Sequence, residues 1–208
     1  QGFLDDVKFY TSALTAAQVK TTYIRGASET GISASFGAEN KDYLSAGLIA
    51  YWQMDENTGT TVTDRSGNGN TGTFGVGDSA PTWGTGKFGA AVNFDGASDF
   101  IEVSDSTSLD SISSQITLSA WVKADAFDHA GGGNYPRVMG CSQFHYGAYN
   151  SSSTGQLYFS LTGPTPTVNF TGSSTTKMAV STWHLPILAG CMSGLWKAIG
   201  FMFGIHPA

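Results

Sequence analysis

Apolar and polar residues alternate with a period of two along much of this chain, the mark of half-buried strands. In residues 3–10, Phe3, Val7 and Phe9 point one way with Asp5 among them, while Asp6, Lys8 and Tyr10 point the other. The period then changes. Thr15 precedes Ala16, Ala17, Gln18, Val19 and Lys20, and Gln18 stands where a capping-box partner belongs. This predicts a helix of about three turns, with Leu14, Val19 and Tyr23 as its buried stripe and Gly26 as its stop. Residues 27–47 carry Ser, Gly, Ala and scattered charges with few large apolar side chains, and read as a linker. Strand-like runs resume at residues 48–54 and recur at 87–94, 100–103, 115–123, 137–143, 156–161 and 168–172, with 55–70 read as loop. Within 115–123 the inward set is Ile116, Leu118, Ala120 and Val122; Thr117, Ser119, Trp121 and Lys123 form the opposite face.

Short strands with turn signals between them predict an all-β sandwich or jelly roll carrying one short helix near its N-terminus. Composition agrees, since 27 Gly and 12% aromatics in 208 residues favour tight turns and strands, and 40% hydrophobic residues suffice for a core. The net charge of −6 lacks the basic surplus that phosphate backbones require, which makes nucleic acid a poor partner. Cys141 and Cys191 are too few for a disulfide scaffold and too far apart for a close-spaced zinc motif. Residues 1–6 lack the basic and apolar regions of a secretion signal, and the chain reads as a slice that opens mid-strand.

Ordered motifs then carry a family resemblance. Leu48-Ile49-Ala50-Tyr51-Trp52-Gln53-Met54-Asp55-Glu56, Gly59-Thr60 and Asp64-Arg65-Ser66-Gly67-Asn68-Gly69-Asn70 resemble the opening of a laminin-G-like domain of the concanavalin A-like lectin/glucanase superfamily. Gly86-Lys87-Phe88-Gly89-Ala90-Ala91-Val92-Asn93-Phe94, Asp99-Phe100-Ile101-Glu102-Val103 and residues 116–123 continue it, up to Trp183-His184. Leu4-Asp5-Asp6-Val7-Lys8-Phe9-Tyr10 and Ala13-Leu14-Thr15-Ala16-Ala17-Gln18-Val19 are similar to the closing strand and helix of the same family, here placed first. The resemblance therefore implies a piece of a tandem array. Residues 1–26 would close a preceding repeat, 27–47 link, 48–184 form a jelly-roll domain incomplete at its C-terminal end, and 185–208 form an aberrant apolar tail. It also implies calcium where first and last strands meet, held by Asp5 or Asp6 together with Asp55 or Glu56.

Candidate chemistry is sparse. Asp64, Ser66, Asn68 and Asn70 stand two apart, as ligands of an oxygen-rich calcium loop do. The same spacing suits a turn in which Asn and Gly supply left-handed conformations. Glycoside hydrolysis needs two carboxyl groups on one face at defined separation, and Glu102 falls on the opposite strand face from Asp99. No Gly-x-Ser-x-Gly nucleophile elbow occurs. Aromatic side chains remain: Trp121, Tyr146, Tyr149 and Tyr158 are candidates to stack on sugar C–H faces, or else pack within the fold.

The expected function is a non-catalytic carbohydrate-binding or cell-adhesion module, extracellular or on the cell surface, with a glycan or an extracellular protein surface as partner. A structural spacer repeat, or an auxiliary domain of a glycoside hydrolase, are the alternatives. Residues 185–204 have spanning length, but Lys197 in their midst argues against a membrane helix. That segment is expected to be no native functional element, to pack poorly and to be prone to aggregate, because it exposes a large apolar patch.

Overall fold

The computed structural model describes residues 1–28, 46–111, 115–125, 137–140, 144–150, 154–161, 177–179, 181–185, 187–191 and 201–206. It is mostly β, with two antiparallel sheets and one short N-terminal helix. The first sheet is organised by β1 (Gly2–Tyr10). One edge of β1 pairs along its length with β8 (Gln115–Ala124). The other edge is shared: Gly2 to Leu4 pair with β6 (Ala90–Phe94), and Val7 to Tyr10 pair with β2 (Leu48–Trp52). β5 (Thr82–Thr85) extends the sheet beyond β6, and β13 (Ile187–Cys191) extends it beyond β8.

The second sheet runs in the order β12 (Lys177–Ala179), β11 (Thr154–Leu161), β10 (Phe144–Asn150), β9 (Arg137–Gly140), β14 (Phe201–His206), β7 (Ile101–Val103), β4 (Gly72–Phe74) and β3 (Thr61–Val62). Both sheets send side chains into one core. Leu4, Val7, Phe9, Trp52, Val92, Phe94 and Leu118 come from the first sheet, and Val62, Phe74, Ile101, Val103 and Met139 from the second. Each fully buried large side chain of this kind stabilises the fold by roughly 1.5–3 kcal/mol relative to exposure.

The alternation in β1 is interrupted. Asp5 stands opposite Trp121 and Lys8 opposite Ser119, so three steps along β1 match two along β8. This is a β-bulge, and Asp6 within it takes a positive φ of 50°. The extra residue resets the faces. Leu4, Val7 and Phe9 enter the core, and Phe3 and Asp5 turn outward with Lys123 and Trp121, which corrects the expectation that Phe3 and Asp5 share a face with Val7 and Phe9.

Helix α1 (Ala16–Ser28) begins as its capping box predicts. The Thr15 backbone N–H donates to Gln18 Oε1 at 2.8 Å, and the Gln18 N–H donates to Thr15 Oγ1 at 3.4 Å. It continues past Gly26, and residues 29–45 of the expected linker lie outside the described residues. So do residues 141–143 and 168–172, expected to be strand.

Two stretches of the apolar tail, not read as strand from the sequence, are strands. β13 pairs with β8 from Ile187↔Ser119 to Cys191↔Gln115, and β14 pairs with both β7 and β9. The physical reason is that the open edges of β8 and β7 present unpaired N–H and C=O groups, which backbone alone can satisfy without side-chain alternation. Among the described residues no helix is long and apolar enough to cross a membrane.

Candidate functional site

The acids expected to hold calcium are spent on loops. Asp5 Oδ2 accepts the backbone N–H groups of Lys87 and Phe88 at 2.8 and 3.0 Å. Asp55 fastens the other end of the same turn, its Oδ1 accepting from the Ala90 N–H at 2.7 Å and its Oδ2 from Gln53 Nε2 at 3.0 Å. Gly89, at φ 60°, makes that turn possible, because a Cβ there would collide with the Asp55 carboxylate. Asp6 Oδ2 accepts from Lys8 Nζ at 2.6 Å, and Glu56 Oε1 accepts from the Thr63 N–H at 3.0 Å. Among the described residues no three His, Cys, Asp or Glu side chains stand where they could share a metal ion. The second Glu56 oxygen, Oε2, is buried and has no partner among the described residues.

Asp64 organises its loop in the same manner. Its Oδ1 accepts from the N–H groups of Tyr51 and Ser66, and its Oδ2 from the Asn70 N–H at 2.9 Å. Asn68 and Asn70 in turn donate their side-chain amides to the Ile49 carbonyl. Gly67 and Gly69 supply φ values of 90° and 79°, so the spacing of two belongs to a turn.

The aromatic candidates fall on different sheets. Tyr146 and Tyr149 lie on β10 and Tyr158 on β11 of the second sheet, with Tyr158 opposite Gly147 and Tyr149 opposite Gln156 in the register. Their side chains lie outside the described part of the structure. Trp121 lies on β8 of the first sheet, on the face turned away from the core. It is only 3% exposed.

Around Thr117, Ser119, Trp121 and Asp5 that outer face is buried, yet polar. Thr117 Oγ1 donates to the Ser12 carbonyl at 2.6 Å and accepts from the Leu14 N–H at 3.0 Å, so residues 11–14 seal one end. Farther along, the Tyr23 ring of α1 lies 5.5 Å from the Trp121 ring, Phe88 meets it edge-on at 5.6 Å, and Lys87 Nζ sits 5.2 Å from its centroid. Beneath this cover Trp121 Nε1 and Ser119 Oγ, both buried, have no hydrogen-bond partner. Burial pushes the Asp5 carboxyl up to about 7, against the pull of the Phe88 N–H, and the nearby Asp6 and Asp55 charges push the same way. Burial likewise raises the Tyr10 phenol to about 12, with Asp6 adding to it.

Sequence reasoning singled out Trp121 and Asp5 but not the groups that complete their surroundings. Lys87 and Phe88 are set by the turn before β6, and Tyr23 was read as part of a buried stripe. It is 54% exposed and forms the outer surface of the cover. Comparison with models of protein families, with curated proteins and with solved structures finds no match to this chain.

Proposed function

We propose that the chain is a non-catalytic carbohydrate-binding or adhesion module of the laminin-G-like jelly-roll type, working outside the cell or on its surface. The observation that carries this reading is the pairing of β1 with β2. The strand whose sequence resembles the family's closing element lies beside the strand whose sequence resembles its opening, as the two ends of a jelly roll would. A binding rather than a catalytic role is supported by the use of the acids. Asp5, Asp55 and Asp64 are each engaged by backbone N–H groups of a turn, a structural duty that leaves a carboxylate poorly placed for proton transfer to a substrate.

A spacer role has one observation in its favour: in this conformation Trp121 is covered, so its ring is not presented to solvent. A glycan array probed with the full chain separates the two readings. Saturable binding to one class of neutral glycan supports the module reading. A blank array, with the protein folded by circular dichroism, overturns it in favour of the spacer.

A further inference from the structure

Buried polar side-chain atoms are nearly always partnered, and two orphans on one strip of strand call for an explanation. Ser119 and Trp121 are successive outward residues of β8, 1% and 3% exposed, and Ser119 Oγ and Trp121 Nε1 lack partners. Asp5, on the neighbouring strand, stands opposite Trp121 in the register, and Lys8 stands opposite Ser119. The strip thus combines an indole face, an N–H donor, a hydroxyl and a carboxyl group.

Lys87 and Phe88, from the turn before β6, cover Asp5 and one side of Trp121, and the helix that covers the ring elsewhere is weakly held. Of the described α1 side chains only Thr22 is buried. The hydroxyls of Thr21 and Thr22 bond back to the carbonyls of Ala17 and Gln18, a pattern that slightly destabilises helices. Tyr23 gives the helix a ring contact with Trp121 while half of its own surface stays in solvent.

We propose that α1 is a displaceable cover over Trp121, and that the strip to which Trp121 belongs, with Ser119 and Asp5, binds one face of a neutral sugar. This rests on the carbohydrate reading above and gives it a place. A pyranose ring matches the strip group by group. Its C–H face stacks on the indole, one ring oxygen or hydroxyl accepts from Trp121 Nε1, and further hydroxyls meet Ser119 and Asp5. Asp6 beside Asp5 disfavours an anionic ligand; of the two nearby cations, Lys8 pairs with Asp6 at 2.6 Å and Lys87 Nζ stands 5.2 Å from the Trp121 centroid. Opening the cover taxes affinity, because only the open fraction of molecules binds.

The test is indole ¹⁵N NMR on the full chain, with the Trp121 signal assigned by its loss in Trp121→Phe. Maltohexaose, cellohexaose, xylohexaose and N-acetylchitohexaose serve as probes. The expected result is that one of them shifts the Trp121 signal saturably. Tyr23→Ala then lowers its Kd at least threefold, and Ser119→Ala raises it at least threefold. Ala17→Gly, an exposed change that weakens the helix without touching the strip, should act like Tyr23→Ala. If a probe binds while the Trp121 signal stays still and amides of residues 144–161 move, the covered site is wrong and the carbohydrate reading survives. If no probe binds the parent or Tyr23→Ala, both fail. If the Trp121 signal shifts but neither variant tightens binding, the cover is overturned.

Discussion

The inner face of the first sheet and the strip around Trp121 on its outer face are both buried and differently made. On the inner face Leu4, Phe9, Leu118 and Trp52 meet the second sheet, and the one polar atom of Trp52 is satisfied, its Nε1 donating to the Asn70 carbonyl at 2.7 Å. On the outer face Asp5, Ser119 and Trp121 are buried by a helix and a turn, and polar atoms there go unpartnered. Burial alone therefore does not define a core. An interior that serves stability satisfies its polar groups, and a covered surface that leaves them unpaired has kept them for something else.

The comparison breaks first at the inner face. Phe9→Ala should cost about 3–5 kcal/mol of unfolding free energy, read as a lowered urea midpoint with unchanged slope, because a cavity is left between two sheets. A cost below about 1 kcal/mol would mean that the core is not packed as described.

The two buried tryptophans sharpen the contrast. Trp52→Phe removes a satisfied donor and orphans the Asn70 carbonyl, at a cost of about 2–3 kcal/mol. Trp121→Phe removes a donor that has no partner and should change stability by less than about 1 kcal/mol. Equal costs in chemical denaturation would erase the distinction between the faces.

How far these differences could be read from sequence varies along the chain. Alternation in 115–123 assigns both faces of β8 correctly, and the Thr15 to Gln18 capping box places the start of α1, because both signals are local. The outward turn of Asp5 was not legible, since a bulge inserts one residue without leaving a distinctive mark on the hydrophobic pattern. Nor was the meeting of Tyr23 with Trp121, which depends on how a helix docks on a strand far away in sequence. The strands β10, β13 and β14 escaped for another reason. Their runs carry glycines or unbroken apolar residues, and pairing with neighbouring edges decides their conformation. At the acids, residue type suggested metal binding, and no pattern revealed the backbone N–H groups that Asp5 and Asp55 accept.

A smaller effect comes from pH. The Asp5 carboxyl lies near 7 in the folded state against an ordinary value of 3.8, so the folded protein holds this proton more tightly than the unfolded chain. Its contribution is fully present below about pH 4 and is lost as pH rises through 7. The melting temperature should therefore fall across that interval, and Asp5→Asn, which can still accept the Lys87 and Phe88 N–H groups, should flatten the fall. A parent profile that rises from pH 4 to 7, with Asp5→Asn showing the same slope, would contradict the buried state of Asp5.

Calcium should have the least effect of all. With Asp5, Asp6, Asp55 and one oxygen of Glu56 bonded to Lys87, Phe88, Lys8, Ala90 and Thr63, millimolar calcium and chelator should give the same melting temperature. A rise of several degrees with calcium would show that these loops rearrange around an ion.

The most direct measurement is hydrogen exchange at the two indole N–H groups. Local opening of α1 releases Trp121 Nε1–H without unfolding the sheets, whereas Trp52 Nε1–H waits for the core to open. Trp121 should exchange at least a hundredfold faster than Trp52, at a rate insensitive to low urea. If both exchange together, at a rate set by global unfolding, then the helix is part of the core and the two faces of the sheet are alike.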